Sequence, residues 1–170
     1  AAGSGLSKVK GSFEWAAFTV TARDMYGNAQ VRGGEAFAVH LQNWRDKGER
    51  VGRVSDNGDG TYTMSFPATT TGAYSINVTR AGSHIQGSPF RATVSPSGTD
   101  ARTTTVDGSA LKGGLCGSVS TLKIVARDQC KNLRGVGGDH FRLLLTHNGP
   151  DSAQIQPDVA DHSDGTYTCA

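Results

Sequence analysis

The sequence predicts an all-β protein made of two similar sandwich domains in tandem, the second incomplete. Strand-like alternation recurs every eight to twelve residues between clusters of Gly, Asn, Asp and Pro, and no segment sustains a helical period. The chain also nearly repeats itself. Ala22-Arg23-Asp24, Asn28, Gly33-Gly34, Phe37, Leu41, Asp56 and Asp59-Gly60-Thr61-Tyr62-Thr63 return as Ala126-Arg127-Asp128, Asn132, Gly137-Gly138, Phe141, Leu145, Asp161 and Asp164-Gly165-Thr166-Tyr167-Thr168. The offset is 104 residues for the early landmarks and 105 for the late ones, so one residue is inserted between Leu145 and Asp161. A period of that length is a whole domain, not a solenoid unit.

Seven strands are expected in the first repeat. The first lies near 6–9. The second, 18–22, points Phe18, Val20 and Ala22 inward, and Tyr26-Gly27-Asn28 follows as a turn. Residues 35–42 alternate cleanly, with Phe37, Val39 and Leu41 on one face and Ala36, Ala38 and His40 on the other. A weaker fourth strand covers 50–55. Asn57-Gly58-Asp59-Gly60 supplies the positive φ of a hairpin turn. Tyr62, Met64 and Phe66 then face inward, as do Tyr74, Ile76 and Val78 after Gly72, and Phe90, Ala92 and Val94 after Gly87-Ser88-Pro89.

The first domain is therefore expected over 1–95. The polar, breaker-rich 96–107 is expected as a linker, although the Thr-rich 101–107 also suits an early strand. The second domain, 108–170, should bury Leu122, Ile124, Ala126, Phe141, Leu143, Leu145, Ile155 and Tyr167. It has no counterpart of 72–94, and the chain reads as an excerpt of a longer protein.

Composition excludes several function classes. Net charge is +2, with ten basic and seven acidic residues over 1–95 and seven against eight over 96–170. No concentrated basic patch suits a nucleic acid, and no apolar run spans a membrane. The three cysteines, Cys116, Cys130 and Cys169, all lie in the second repeat. Cys116 and Cys130 flank an expected strand whose ten or so residues separate them by roughly 30 Å, against the ~7 Å limit of a disulfide. Cys169 aligns with Met64 and reads as a small core residue. A first repeat without cysteine favours a reducing compartment.

Catalytic and metal-binding patterns fail on spacing. With Gly60 at the glycine position of a calcium loop, Ser55 and Phe66 fall on the first and last ligand positions; the second repeat puts Ala160 first. The five histidines share no metal-ligand spacing, and no serine sits in a nucleophile elbow. No cofactor and no metal are expected. Asn77-Val78-Thr79 is a glycosylation sequon on an outward strand position. Trp44, in the loop Asn43-Trp44-Arg45, either covers the end of the core or anchors a partner together with Arg45.

The order FTVTARD, YGN, GGEAFAV, VSDNGDGTYTMSF, GAYSINVTR and IQGSPFRATV resembles a filamin-type, seven-stranded immunoglobulin-like repeat. The resemblance covers 5–94, and 108–170 as far as the fifth strand, with QCKN and DHSDGTY replacing MYGN and DNGDGTY. It implies a non-catalytic scaffold or spacer. It also implies β-augmentation, in which a partner peptide adds beside the third strand in the groove toward the fourth. Carried over, that groove is flanked by Ala36, Ala38 and His40 from the third strand and Val51, Gly52 and Arg53 from the fourth, with Gly52 read as room for an approaching chain. The expected partners are an extended peptide strand or neighbouring domains. The expected setting is cytoplasmic, in the cytoskeleton or a cilium; an extracellular adhesion array is the alternative.

Overall fold

A computed structural model describes residues 8–10, 15–45, 47–146 and 154–170. The chain divides into two compact units, Ala1–Ser95 and Pro96–Ala170.

Unit 1 contains β1 (Lys8–Lys10), β2 (Trp15–Thr21), β3 (Phe37–Asn43), β4 (Glu49–Val51), β5 (Arg53–Asp56), β6 (Thr61–Pro67), β7 (Gly72–Arg80), β8 (Ser83–His84) and β9 (Phe90–Ser95). One sheet runs β1-β9-β7-β3-β4, with β8 paired to β7; the facing sheet is β2-β6-β5. All pairings are antiparallel except β1 with β9. Residues 6 and 7 of the expected first strand lie outside the described residues.

The period-two alternation expected from the sequence is what fills the core. Phe18 and Val20 of β2 and Met64 and Phe66 of β6 pack against Val39, Leu41, Tyr74, Ile76, Val78, Ala92 and Val94 of the other sheet. Tyr74 Oη donates to the Thr70 carbonyl at 2.8 Å, which satisfies the one polar atom of a buried ring.

The expected single fourth strand is two strands in different sheets. β4 pairs with β3, β5 pairs with β6, and Gly52 is the crossing point. A Cβ at Gly52 would lie 2.7 Å from the Ser65 carbonyl oxygen and 2.7 Å from Val39 Cγ1, so glycine alone lets the chain pass between the sheets.

Unit 2 contains β10 (Thr105–Asp107), a 3-10 turn (Ser109–Lys112), β11 (Leu122–Val125), β12 (Leu145–Thr146), β13 (Gln154–Ile155), β14 (Ala160–Asp161) and β15 (Thr166–Cys169). They form a sheet β10-β11-β15-β14 and a two-stranded pair β12-β13. Residues 96–107, expected as a linker, group with this unit: Thr105–Asp107 pairs with β11, and Ser97 and Asp100 are bonded to Asp128 and Arg127. Ile124, Ala126 and Tyr167 form its core with Phe141 and Val159. Cys169 is buried, Cys130 half-buried and Cys116 exposed, all as free thiols; burial, then the Asp128 charge, pushes the Cys130 thiol up.

Leu145 and Ile155, expected inward, are 47% and 61% exposed. Leu145 pairs with Ile155 in the register that joins Leu41 to Arg50. Leu41 is also flanked by Ile76 of β7; no described strand lies on that side of Leu145.

The repeated landmarks make the same contacts in both units. The amides of Gly34 and Gly138 donate to Asp56 Oδ2 and Asp161 Oδ2 at 2.7 and 2.8 Å. The next amides, of Glu35 and Asp139, donate to the hydroxyls of Tyr62 and Tyr167 at 2.9 and 3.0 Å. Those rings meet Phe37 and Phe141 edge-on, with 4.7 Å between centroids in each case. A Cβ at Gly33 or Gly137 would strike the same carboxylates, at 2.2 and 2.4 Å.

Candidate strand-accepting edge

The geometry of the third strand follows from where β4 leaves it. β4 pairs with β3 over His40, Leu41 and Gln42, and the Gly52 amide makes a last hydrogen bond to the Val39 carbonyl at 2.9 Å. Backbone polar groups alternate sides along an antiparallel strand, so Phe37 presents its N–H and C=O on the same side as Val39. There β4 has already crossed to the other sheet. β5 is in turn the outer strand of its sheet. The resulting window lies between the start of β3 and β5, closed at one end by Gly52 and at the other by the Gly34–Asp56 hydrogen bond.

The small residues fall where the alternation puts them. Ala36 is exposed; Ala38 is half-buried and opposite Thr79. His40 lies between Asn77 of β7 and Val51 of β4, its Nδ1 3.4 Å from Glu49 Oε1. Val51 is 67% exposed. These residues share the solvent face of the larger sheet.

Gly52 and Arg53 take other roles than the expected ones. The space at Gly52 is filled from within, by Val39 and Ser65. The Arg53 guanidinium lies 4.3 Å above the Trp15 ring, so the side chain is drawn to β2, whose Trp15 is opposite Pro67 of the intervening β6. No sequence spacing signals this non-local stacking. Trp44 does not seal the core: it is 61% exposed, with the Arg91 guanidinium 5.4 Å from its ring centroid. Arg45 is exposed, and its amide is held by Asn43 Oδ1 at 2.8 Å.

In the turn tested above as a calcium loop, Asp59 Oδ1 accepts from the Thr61 amide at 2.9 Å and from Thr61 Oγ1 at 2.5 Å. These bonds hold its carboxyl below the usual range, as the equivalent Thr166 bonds do for Asp164. Among the described residues no group of three or more His, Cys, Asp or Glu is placed to hold a metal ion, and no helix is long and apolar enough to cross a membrane.

Two facing sheets, a sheet-switching fourth strand and a Tyr74 ring bonded back to Thr70 define an immunoglobulin-like β-sandwich. The Filamin/ABP280 repeat model matches residues 1–91, and the chain belongs to that family. Over 150 residues it is 29% identical to Filamin-C of Rattus norvegicus, covering 88% of this chain and 5% of that protein. It is 37% identical over 81 residues to the E3 ubiquitin-protein ligase TRIM45 of Mus musculus, covering 46% of this chain and 14% of the ligase. The chain thus spans a small part of these relatives. Among solved structures, the Escherichia coli adhesin FdeC superposes with a TM-score of 0.58 at 18% identity, over 95% of this chain and 51% of the adhesin chain. Filamin repeats are non-catalytic structural modules that mediate protein–protein interactions.

Proposed function

We propose that unit 1 accepts an extended peptide from a partner protein by β-augmentation at the start of β3, and that the chain serves as part of a cytoskeletal or ciliary scaffold in the cytoplasm. The observation that carries this reading is the departure of β4 at Gly52, which leaves the Phe37 end of the β3 edge uncovered. Main-chain hydrogen bonds supply affinity in such an arrangement, and alternate side chains supply selectivity. An uncovered edge is otherwise a liability that proteins block. Ala36, Ala38, His40 and Val51 flank the added strand on the solvent face. Trp44 and Arg45 form a second exposed group of the kind favoured at binding hot spots. Unit 2 is a second copy of the same fold, a reading supported by the shared contacts of Gly34 and Gly138, Tyr62 and Tyr167. Titration of the labelled chain with a captured partner peptide tests the proposal: the shifted amides should cluster at residues 35–39 and 53–56.

One observation favours a second reading, an extracellular adhesion array. Asn77 of the sequon lies on the solvent face of the larger sheet, beside His40. Occupancy of Asn77 by a glycan, read by mass spectrometry of the native protein, decides between the two.

A further inference from the structure

The hairpin tip between β5 and β6 carries a reactive pair of residues. In Asn57-Gly58 the residue after the asparagine has no side chain, so its amide nitrogen can approach the asparagine carboxamide. Both residues are exposed, and a Cβ at Gly58 would meet nothing within 4 Å.

Both reacting groups are engaged in the folded chain. The Gly58 amide donates to Asp56 Oδ1 at 2.8 Å, and the other oxygen of that carboxylate accepts from the Gly34 amide at 2.7 Å. The Asn57 carboxamide donates through Nδ2 to Thr61 Oγ1 at 2.9 Å and to Thr63 Oγ1 at 3.2 Å. The Asn57 amide donates to the Thr61 carbonyl at 3.0 Å. A carboxylate beside the Gly58 N–H opposes loss of its proton, and the two threonines fix the carboxamide.

Unit 2 builds the same turn from other residues. His162 and Ser163 stand where Asn57 and Gly58 do. The Ser163 amide donates to Asp161 Oδ1 at 2.7 Å and the His162 amide to the Thr166 carbonyl at 3.1 Å, while His162 Nε2 lies 2.9 Å from Thr168 Oγ1. Ser163 holds a φ of 60°, close to the 80° of Gly58. The turn therefore does not require the Asn-Gly pair.

We propose that Asn57 is a self-modification site gated by the fold of unit 1. When the tip opens, the Gly58 nitrogen gives up its proton to hydroxide and attacks Asn57 Cγ. The new C–N bond closes a succinimide ring as the Cγ–Nδ2 bond breaks and ammonia leaves. Water then opens the ring at either carbonyl. One product is aspartate; the other is isoaspartate, in which the main chain runs through the former side chain. Local openings of this kind need less than global unfolding, and β5 is a four-residue outer strand. Isoaspartate lengthens the main chain by one carbon and sets a further carboxylate between Asp56 and Asp59. The turn cannot then recover its bonds to Thr61 and Thr63, so the modification records that unit 1 has opened. None of this depends on strand addition at β3.

The test is incubation of the full 170-residue chain in buffer and in denaturing urea at the same neutral pH. Peptide mapping by mass spectrometry follows the conversion of Asn57 and separates it from that of Asn148, the other asparagine followed by glycine. Isoaspartate is read by labelled methyl transfer from S-adenosylmethionine with a protein-isoaspartate methyltransferase. Asn57 should convert at least about tenfold faster in urea, about 1.4 kcal/mol of barrier. Gly58→Ser, which keeps a residue that unit 2 accepts at this φ, should slow the conversion in urea by a similar factor. Thr61→Val with Thr63→Val should raise the rate in buffer toward the rate in urea, with tryptophan fluorescence reporting that unit 1 stays folded. Should that variant fail to fold, its rate in buffer should equal its rate in urea. Equal rates of the wild-type chain in buffer and urea would overturn the gate. No conversion of Asn57 in urea, or an unchanged rate in Gly58→Ser, would overturn the site.

Discussion

Gly52 and Val39 are joined by a 2.9 Å hydrogen bond from the glycine amide to the valine carbonyl, and the chain leaves the larger sheet immediately after it. That bond marks both where β4 ends and where the uncovered edge of β3 begins.

Gly52→Ala should therefore destabilise unit 1 by about 1–3 kcal/mol, the usual cost of overpacking a filled site. The added methyl meets backbone at Ser65 and a buried side chain at Val39. Both tryptophans of the chain, Trp15 and Trp44, lie in unit 1. Urea denaturation followed by tryptophan fluorescence thus reports on this unit. An unchanged midpoint would show that the crossing needs no glycine.

Tyr74 separates packing from hydrogen bonding. Tyr74→Ala should cost about 3–5 kcal/mol, as large-to-small aromatic changes in cores do. Tyr74→Phe keeps the packing but removes the bond to Thr70 and the long one from Arg50 Nη1 at 3.5 Å, and should cost about 1 kcal/mol. The same fluorescence titration measures both, and equal losses would contradict this division.

Acid should weaken unit 1 through Glu35 and Asp59. A hydrogen bond from Arg80 and then its charge hold Glu35 below its ordinary value of 4.5; Thr61 holds Asp59 below 3.8. Their folded pKa values lie below the unfolded ones, so the unfolded state binds more protons. Their stabilisation is complete above the unfolded values and is lost as pH falls through the folded ones. Glu35→Gln with Asp59→Asn should flatten the decline of stability below about pH 4.5. An unchanged slope would show that neither group contributes.

Much of this was legible in the sequence because local alternation decides which side chains are buried. Phe18, Val20, Tyr62, Met64, Tyr74 and Ile76 all fall on the inward phase. The repeated Gly-Gly, Asp and Tyr were visible as landmarks, and their joint contacts supply the reason. The sheet switch was not legible: exposure alternates without a break from Glu49 to Ser55, Val51 outward and Val54 inward, so no change of period marks the crossing at Gly52. The stacking of Arg53 on Trp15, and the hold on 97–104 by Asp128, Arg134 and Asp139, were not legible. They join residues far apart in sequence through side chains that carry no period.

Unit 2 should be the less protected part of the chain. Leu145 is about half exposed where its counterpart Leu41 is buried, and among the described residues fewer apolar side chains share the core of unit 2. Local openings scale with such deficits. Hydrogen exchange on the full chain should find the amides of β11 and β15 exchanging faster than those of β2 and β6. Equal protection would contradict the unequal cores.

Binding of a partner strand by unit 1 is tested most directly by Ala38→Lys. The substitution sets a long charged side chain beside the start of β3 and leaves Phe37, Val39 and Leu41 in place. Edge lysines are how sheets resist added strands. The fold should survive within about 1 kcal/mol, as surface changes usually allow. Affinity for a peptide captured with the wild-type chain as bait should fall at least tenfold, about 1.4 kcal/mol. Equal affinity of the wild-type and Ala38→Lys chains would contradict strand addition at β3 and direct attention to Trp44 and Arg45.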